Sequence, residues 1–278
     1  MPIDLAAVGR SCGPNPVRWT QRDAIIYALG VGAGSQDPAE DLEFTTENST
    51  GIVQKVLPTF PLVVHSGAPP IPIGDFDRRM SVHGEQSLIL HRPLPPEGTG
   101  STVSEIEAIY DKGSGALVYR ATTLLDHEGR KLATSRIGQF IRGEGGFGGE
   151  RGPKAVWTVP QRPPDHVIEQ PTRRDQALLY RLSGDQNPLH SDPVIARKAG
   201  FSQPILHGLC TFGFVGRAIL SLVGGEPSRI GAMKVRFSSP VVPGDTLTTE
   251  FWRQGKALLF RTHADGRLAL DGGEAEIL

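Results

Sequence analysis

Two distant stretches of the chain open in the same way. Thr20-Gln21-Arg22-Asp23 starts a helical run, Ala24 to Leu29, that ends in Gly30, Gly32 and Gly34. Thr172-Arg173-Arg174-Asp175 starts a second. Thr20 then pairs with Thr172, Arg22 with Arg174, Asp23 with Asp175, Tyr27 with Tyr180 and Leu29 with Leu182, with one residue inserted. A second echo follows each. Ala116-Leu117-Val118-Tyr119-Arg120 precedes Asp126 and Gly129-Arg130-Lys131-Leu132-Ala133. Ala257-Leu258-Leu259-Phe260-Arg261 precedes Asp265-Gly266-Arg267-Leu268-Ala269. Both read as strand, Gly-bearing turn, strand. The same helix entry and hairpin, twice and in the same order, predict a duplicated fold.

Between the copies runs Gly143-Glu144-Gly145-Gly146-Phe147-Gly148-Gly149-Glu150-Arg151-Gly152, then Pro160, Pro163 and Pro164. This is linker chemistry, flexible first and stiff later. It divides the chain into domains 1–150 and 151–278. Strand-forming runs dominate both: Ser81–His91, Val103–Tyr110, Ala116–Leu125 and Leu132–Ile141, then Val167–Glu169, Ile230–Phe237, Thr246–Trp252, Ala257–Arg261 and Ala275–Leu278. The second half adds a long apolar helix over Leu206–Val223. In the first half Pro58, Pro61, Pro69, Pro70 and Pro72 forbid its counterpart. The first fourteen residues lack a pattern and read as an arm. Antiparallel strands around one apolar helix predict an α+β architecture.

Composition excludes several functions. The 278 residues are 38% apolar and 21% charged with net charge −1, an ordinary soluble composition with no bulk attraction to nucleic acid or anionic membrane. Pro204–Gly225 is the most apolar stretch, but His207 and Arg217 interrupt it, so it reads as a buried helix. Cys12 and Cys210 make neither a disulfide framework nor a metal cluster, and a reducing cytoplasm fits. Met1-Pro2-Ile3-Asp4 does not read as a signal peptide, and Glu276-Ile277-Leu278 is not the peroxisomal address.

The chemistry concentrates in Tyr180-Arg181-Leu182-Ser183-Gly184-Asp185-Gln186-Asn187-Pro188-Leu189-His190. Gly184 stops a helix, and Asn187-Pro188 turns the chain. Asp185 and His190 then face one space from either side of the bend, a general acid/base pair for moving protons on and off water. No third His or Cys accompanies His190-Ser191-Asp192, so no metal site is expected. Asp192 before Pro193 instead reads as the N-cap of a helix over Val194–Lys198.

This stretch resembles the signature of the R-specific 2-enoyl-CoA hydratases, the MaoC-like dehydratases. Tyr180, Ser183, Gly184, Asp185, Asn187, Pro188, Leu189, His190 and Ala196 all fit it. The resemblance extends from about Trp19 to the end. It implies two hot-dog folds in tandem, each sheet curling round a helix, with the N-terminal helix reduced and its space freed for a long or bulky acyl chain. It implies reversible hydration of trans-2-enoyl-CoA to (3R)-3-hydroxyacyl-CoA in fatty acid metabolism, with no cofactor beyond the CoA of the substrate. Asp185 and His190 would handle the water, Asn187 would help position them, and the N–H of Gly208 would stabilise charge on the thioester oxygen. The choice of base between Asp185 and His190 stays open, because such a pair titrates as a unit. His83-Gly84-Glu85-Gln86 resembles a segment of the two-domain members, with Glu85 read as making a structural hydrogen bond. Lys234 and Arg236 alternate along a strand as candidates for the CoA phosphates, and Gly213 and Gly216 serve close helix–sheet packing. A hot-dog thioesterase and a non-catalytic acyl-CoA-binding module are the rival readings. Monomer and homodimer both stay open.

Overall fold

The computed structural model describes residues 3–64, 69–153 and 157–278. The first half runs β1 (Ser11–Trp19), α1 (Gln21–Gly30), α2 (Leu42–Thr45), α3 (Pro61–Val64), β2 (Ser81–Leu90), β3 (Gly98–Asp111), β4 (Gly115–Asp126) and β5 (Lys131–Arg142). The second runs β6 (His166–Pro171), α4 (Gln176–Tyr180), α5 (Pro193–Lys198), α6 (Gly208–Leu222), β7 (Ile230–Phe237), β8 (Thr246–Gln254), β9 (Ala257–Ala264) and β10 (Arg267–Ile277). All ten strands form one antiparallel sheet in the order β1-β3-β4-β5-β2-β7-β10-β9-β8-β6. Counted inward from its own edge, each half has its first, third, fourth, fifth and second strand. The duplication in the sequence is therefore a duplication of topology. The halves join where β2 pairs with β7, with Leu88 opposite Met233.

The helix entry that repeats in sequence has a visible cause at α1. Thr20 accepts from the Asp23 N–H and the Asp23 carboxylate accepts from the Thr20 N–H. This reciprocal box satisfies two otherwise unpaired donors. The two repeat helices meet in the core, where the matched Tyr27 and Tyr180 rings lie 6.1 Å apart. A Cβ on Gly30 would press on Tyr180 Cα at 3.2 Å, so glycine eases this close approach.

α6 is buried almost all round, with Cys210 to Gly216 and Ala218 to Leu220 inaccessible. Its small residues pack differently from the expectation. A Cβ on Gly213 would strike Val31, and one on Gly216 would meet Thr59 Cγ2 at 2.7 Å. They admit loops of the first half, not the sheet. Arg217 binds the same region, donating to Asp41 Oδ2 at 2.6 Å and to the Val31 carbonyl at 3.3 Å.

Three further expectations change. The end of the supposed N-terminal arm, Ser11 to Pro14, opens β1, which pairs with β3 at the sheet's edge. Pro14 and Pro16 are compatible with an edge, where a missing N–H breaks no central ladder. The glycine-rich linker is pinned rather than loose, because the Asp111 carboxylate accepts from the N–H groups of Gly113, Gly146 and Gly148. The space left by the reduced N-terminal helix is not simply free. Phe44, Val56, Leu57, Phe60 and Leu62 from the proline-rich segment are buried in the common core.

Candidate active site

The signature stretch forms α4, a 3-10 turn over Arg181–Ser183, and a second over Pro188–His190. Gly184 takes φ +119°, a conformation that side chains oppose, and breaks the path between them. Asn187 then builds the second turn. Its N–H donates to Asp185 Oδ1 at 3.1 Å, and its side-chain oxygen accepts from the Leu189 N–H at 3.1 Å. Pro188 sits at the start of that turn, where a missing N–H costs nothing. Asp192 caps α5 by accepting from Val194 at 2.7 Å, which anchors the chain just past His190.

The bend brings Asp185 and His190 together and adds a third group, His207. One side-chain ligand atom from each lies within 4.8 Å of the others. The sequence reading that no further histidine joins the pair is thus corrected. His207 comes from the N-cap position of α6, a different element, so local spacing did not reveal it. His190 and His207 stack with ring centres 3.8 Å apart and planes at 28°.

Hydrogen bonds fix which nitrogens are free. A carbonyl oxygen can only accept, so a ring nitrogen facing one must donate. His190 Nδ1 donates to the Ile205 carbonyl at 2.8 Å, which leaves Nε2 with its lone pair on the site side. His207 Nε2 donates to the Asp185 carbonyl at 3.2 Å, leaving Nδ1 as a buried atom with no protein partner among the described residues. Burial pushes the His190 imidazole below the ordinary histidine range, against the Ile205 bond and the Asp185 charge, which favour the proton. Burial, with His190 beside it, pulls His207 down to about 4. Both rings are neutral near pH 7.

Asp185, His190 and His207 have the donor types of a metal site. Their arrangement fits proton transfer better. Zinc sits about 2.0–2.1 Å from an imidazole nitrogen and in the ring plane. Two stacked, nearly parallel rings aim their lone pairs along separate planes, so one ion would lie well out of both.

Gly208 opens α6. Among the described residues no acceptor reaches its N–H, and His207 beside it offers no side-chain cap. That leaves a donor at the positive end of a fifteen-residue helix, one residue from the histidine cluster. A Cβ on Gly208 would press into the Phe237 ring at 3.0 Å.

The sequence matches the MaoC-like domain over residues 156–270 and the MFE-2 hydratase 2 N-terminal domain over residues 18–143. It is 45% identical to 3-hydroxyacyl-thioester dehydratase Y of Mycobacterium tuberculosis, across 100% of this chain and 96% of that protein. The chain belongs to the MaoC-like dehydratase family. The crystal structure of a MaoC-like dehydratase from Phytophthora capsici superposes with TM-score 0.87 at 36% identity, covering 99% of this chain and 97% of that one. A Mycobacterium tuberculosis protein with a double hot-dog fold matches at TM-score 0.61 and 16% identity, over 98% of this chain and 96% of that one, which shows the shared fold.

In this MaoC-like dehydratase the first half also reaches toward the site. A bulge in β2 at Gly84 shifts the register between His83 and Glu85. His83 thereby shares the concave face with Gln86 and Leu88, and Glu85 turns outward to accept from the Tyr119 hydroxyl at 2.5 Å. The structural bond expected for Glu85 is present. The His83 ring meets Phe237 edge-on at 4.8 Å, and Phe237 is the ring that backs Gly208. Burial lowers the His83 pKa to about 4, with Gln86 and the Asp185 charge opposing. The sequence does not mark His83 as a site neighbour, because strict alternation would place it with Glu85 and only the bulge separates them.

Lys234 and Arg236 stand on the opposite face of β7 from Met233 and Val235. They pair with Glu274 at 2.8 Å and Asp271 at 2.7 Å on β10. Ion pairing on the outer face accounts for them, and the phosphate role expected from sequence finds no support in this placement. Cys12 and Cys210 are free thiols. Among the described residues no helix is long and apolar enough to cross a membrane.

Proposed function

We propose that this chain hydrates trans-2-enoyl-CoA reversibly to (3R)-3-hydroxyacyl-CoA. The observation that carries the reading is the pairing of Asp185 with His190: Nδ1 of His190 is tied to the Ile205 carbonyl, so Nε2 is the nitrogen left free, and the two side chains offer ligand atoms within 4.8 Å of each other. A water between them meets two acceptors, which can orient it and take its proton. Its oxygen attacks C3 of the conjugated thioester. Charge develops on the thioester oxygen, where the unpartnered Gly208 N–H is placed to donate. The proton taken from water, or one exchanged with it, then goes to C2, so the pair ends as it began. Asp185 and His190 share the proton as a coupled unit.

The reaction adds water without change of redox state, so the reading calls for no cofactor beyond the CoA of the substrate. The R stereochemistry rests on the family. A cytoplasmic, membrane-free setting is part of the proposal. A single chain already supplies the paired sheets, so the mechanism borrows nothing from a second subunit.

The test follows the ultraviolet band of short and long trans-2-enoyl-CoA substrates with wild type, Asp185→Asn and His190→Ala. Loss of the band without thiol release is expected, falling about 10²–10⁴-fold in each variant, the usual reach of general acid/base catalysis. Chiral analysis should give the R product. Release of free thiol would establish a thioesterase instead, and binding without turnover an acyl-binding module.

A further inference from the structure

The concave face of the first half carries an arginine with no counter-charge. Arg120 lies on β4, which alternates regularly, so Val118, Arg120, Thr122 and Leu124 point to one side. Leu124 belongs to the main core and Val118 to a second apolar cluster with Ile106 and Ile141. Arg120 therefore sits at the seam between two apolar clusters. Registers place Ile106, Arg120, Ile137, Gln86 and Val235 in one row across β3, β4, β5, β2 and β7.

Among the described residues Arg120 has no ion pair and no hydrogen-bond acceptor. Burial alone depresses its pKa. Its neighbours on this face are also short of partners. Gln86 is 2% exposed, and its Oε1 is buried without a donor. The buried His83 Nε2 has no partner either, and the Arg120 charge acts on that ring. Buried polar groups are ordinarily satisfied, and a partly buried guanidinium with no counter-charge is suited to an anion that reaches it. The unpaired Arg120 on this face, walled by Ile106, Ile137 and Val118, describes a place for the end of a chain that is apolar along its length and anionic at its tip.

We propose that Arg120 is a subsite for a carboxylate at the far end of the acyl chain. It makes this protein selective for enoyl thioesters of dicarboxylic acids. The inference deepens the hydratase reading and rests on it. β4 is three strand spacings from β7, about 14 Å, which sets the subsite apart from the reacting carbon near Gly208. Gln86 and His83 lie between and can donate or accept along the way.

The experiment compares trans-2-enoyl thioesters of equal length ending in methyl or carboxylate, each on CoA and on N-acetylcysteamine. Wild type, Arg120→Met and Arg120→Lys are assayed, with melting temperatures to confirm folding. Arg120→Met should lose roughly 10- to 100-fold in kcat/KM on the carboxylated substrates, the scale of one charge-assisted hydrogen bond. The methyl-terminated ones should be unchanged or faster, and Arg120→Lys should recover part of the loss. The pattern should be the same on both carriers. An equal effect on both chain ends overturns the proposal. So does a loss that appears only with CoA, because Arg120 would then hold a phosphate. Wild-type turnover of the methyl-terminated substrate tests the hydratase reading separately. If that turnover is absent, calorimetry with saturated carboxylated and methyl-terminated acyl-CoA still decides the subsite: weaker binding of the carboxylated ligand by Arg120→Met supports it, and equal binding removes it.

Discussion

Lowering the pH from about 6.5 to about 4 drives protons onto imidazoles that the fold holds neutral. His83 and His207 each titrate at about 4 in the folded chain, mainly because burial penalises the charged ring. In the unfolded chain both return to the ordinary value near 6.5. Between these values the unfolded state binds more protons than the folded one, so stability falls as pH falls. Each group contributes stability in full above about pH 6.5 and none below about 4. One pKa unit is worth about 1.4 kcal/mol, so each histidine accounts for about 3 kcal/mol over the window. Together they cost about 3 kcal/mol per pH unit where both differ, and His190 acts in the same direction. A domain with about 5–15 kcal/mol in hand loses much of it this way. Urea denaturation at several pH values should show the midpoint dropping at constant m. The lowered carboxylates Asp77, Asp126 and Asp165 titrate below this window, at about 2, and do not confuse it. His83→Phe, which keeps a ring against Phe237, should remove close to half of the slope. A midpoint independent of pH between about 7 and 4.5, or a slope untouched in His83→Phe, would refute the assignment of buried neutral rings.

Two further perturbations test how the halves and the site are held. Gly213→Ala should destabilise by about 1–3 kcal/mol, read in the same urea titration, because its methyl group meets Val31 and the Tyr27 hydroxyl at 2.9 Å in a filled core. Asp192→Ala should cost about 1 kcal/mol by uncapping α5, and it should lower kcat more than it raises KM, since it loosens the turn carrying His190 and not a substrate contact.

Much of the architecture is legible because it is local. The repeated Thr-x-Arg-Asp entry, the Gly-bearing hairpins and the alternating runs each act within a few residues, and they predict strands that β7 matches end to end. The strand at the chain's end runs longer than its sequence pattern predicts. Ala275–Leu278 is only the last part of β10, because Gly272 and Gly273 interrupt the pattern where the strand bulges against β7 and β9. β1 is hidden in the sequence for a related reason: Gly13, Pro14 and Pro16 mask an edge strand whose partner lies far along the chain.

The sequence alone determined that the fold is doubled, that only the second copy keeps a long helix, and that Asp185 and His190 flank one bend. Those features follow from backbone preferences and from residues a few positions apart. Tertiary structure decided what surrounds that bend. It stacked His207 on His190, turned His83 inward through a one-residue bulge and set Lys234 and Arg236 on the outer face. It also left Arg120 unpaired between two apolar clusters. Each of these depends on which strands lie side by side and on which face a residue emerges, and a single added residue in a strand reverses that face.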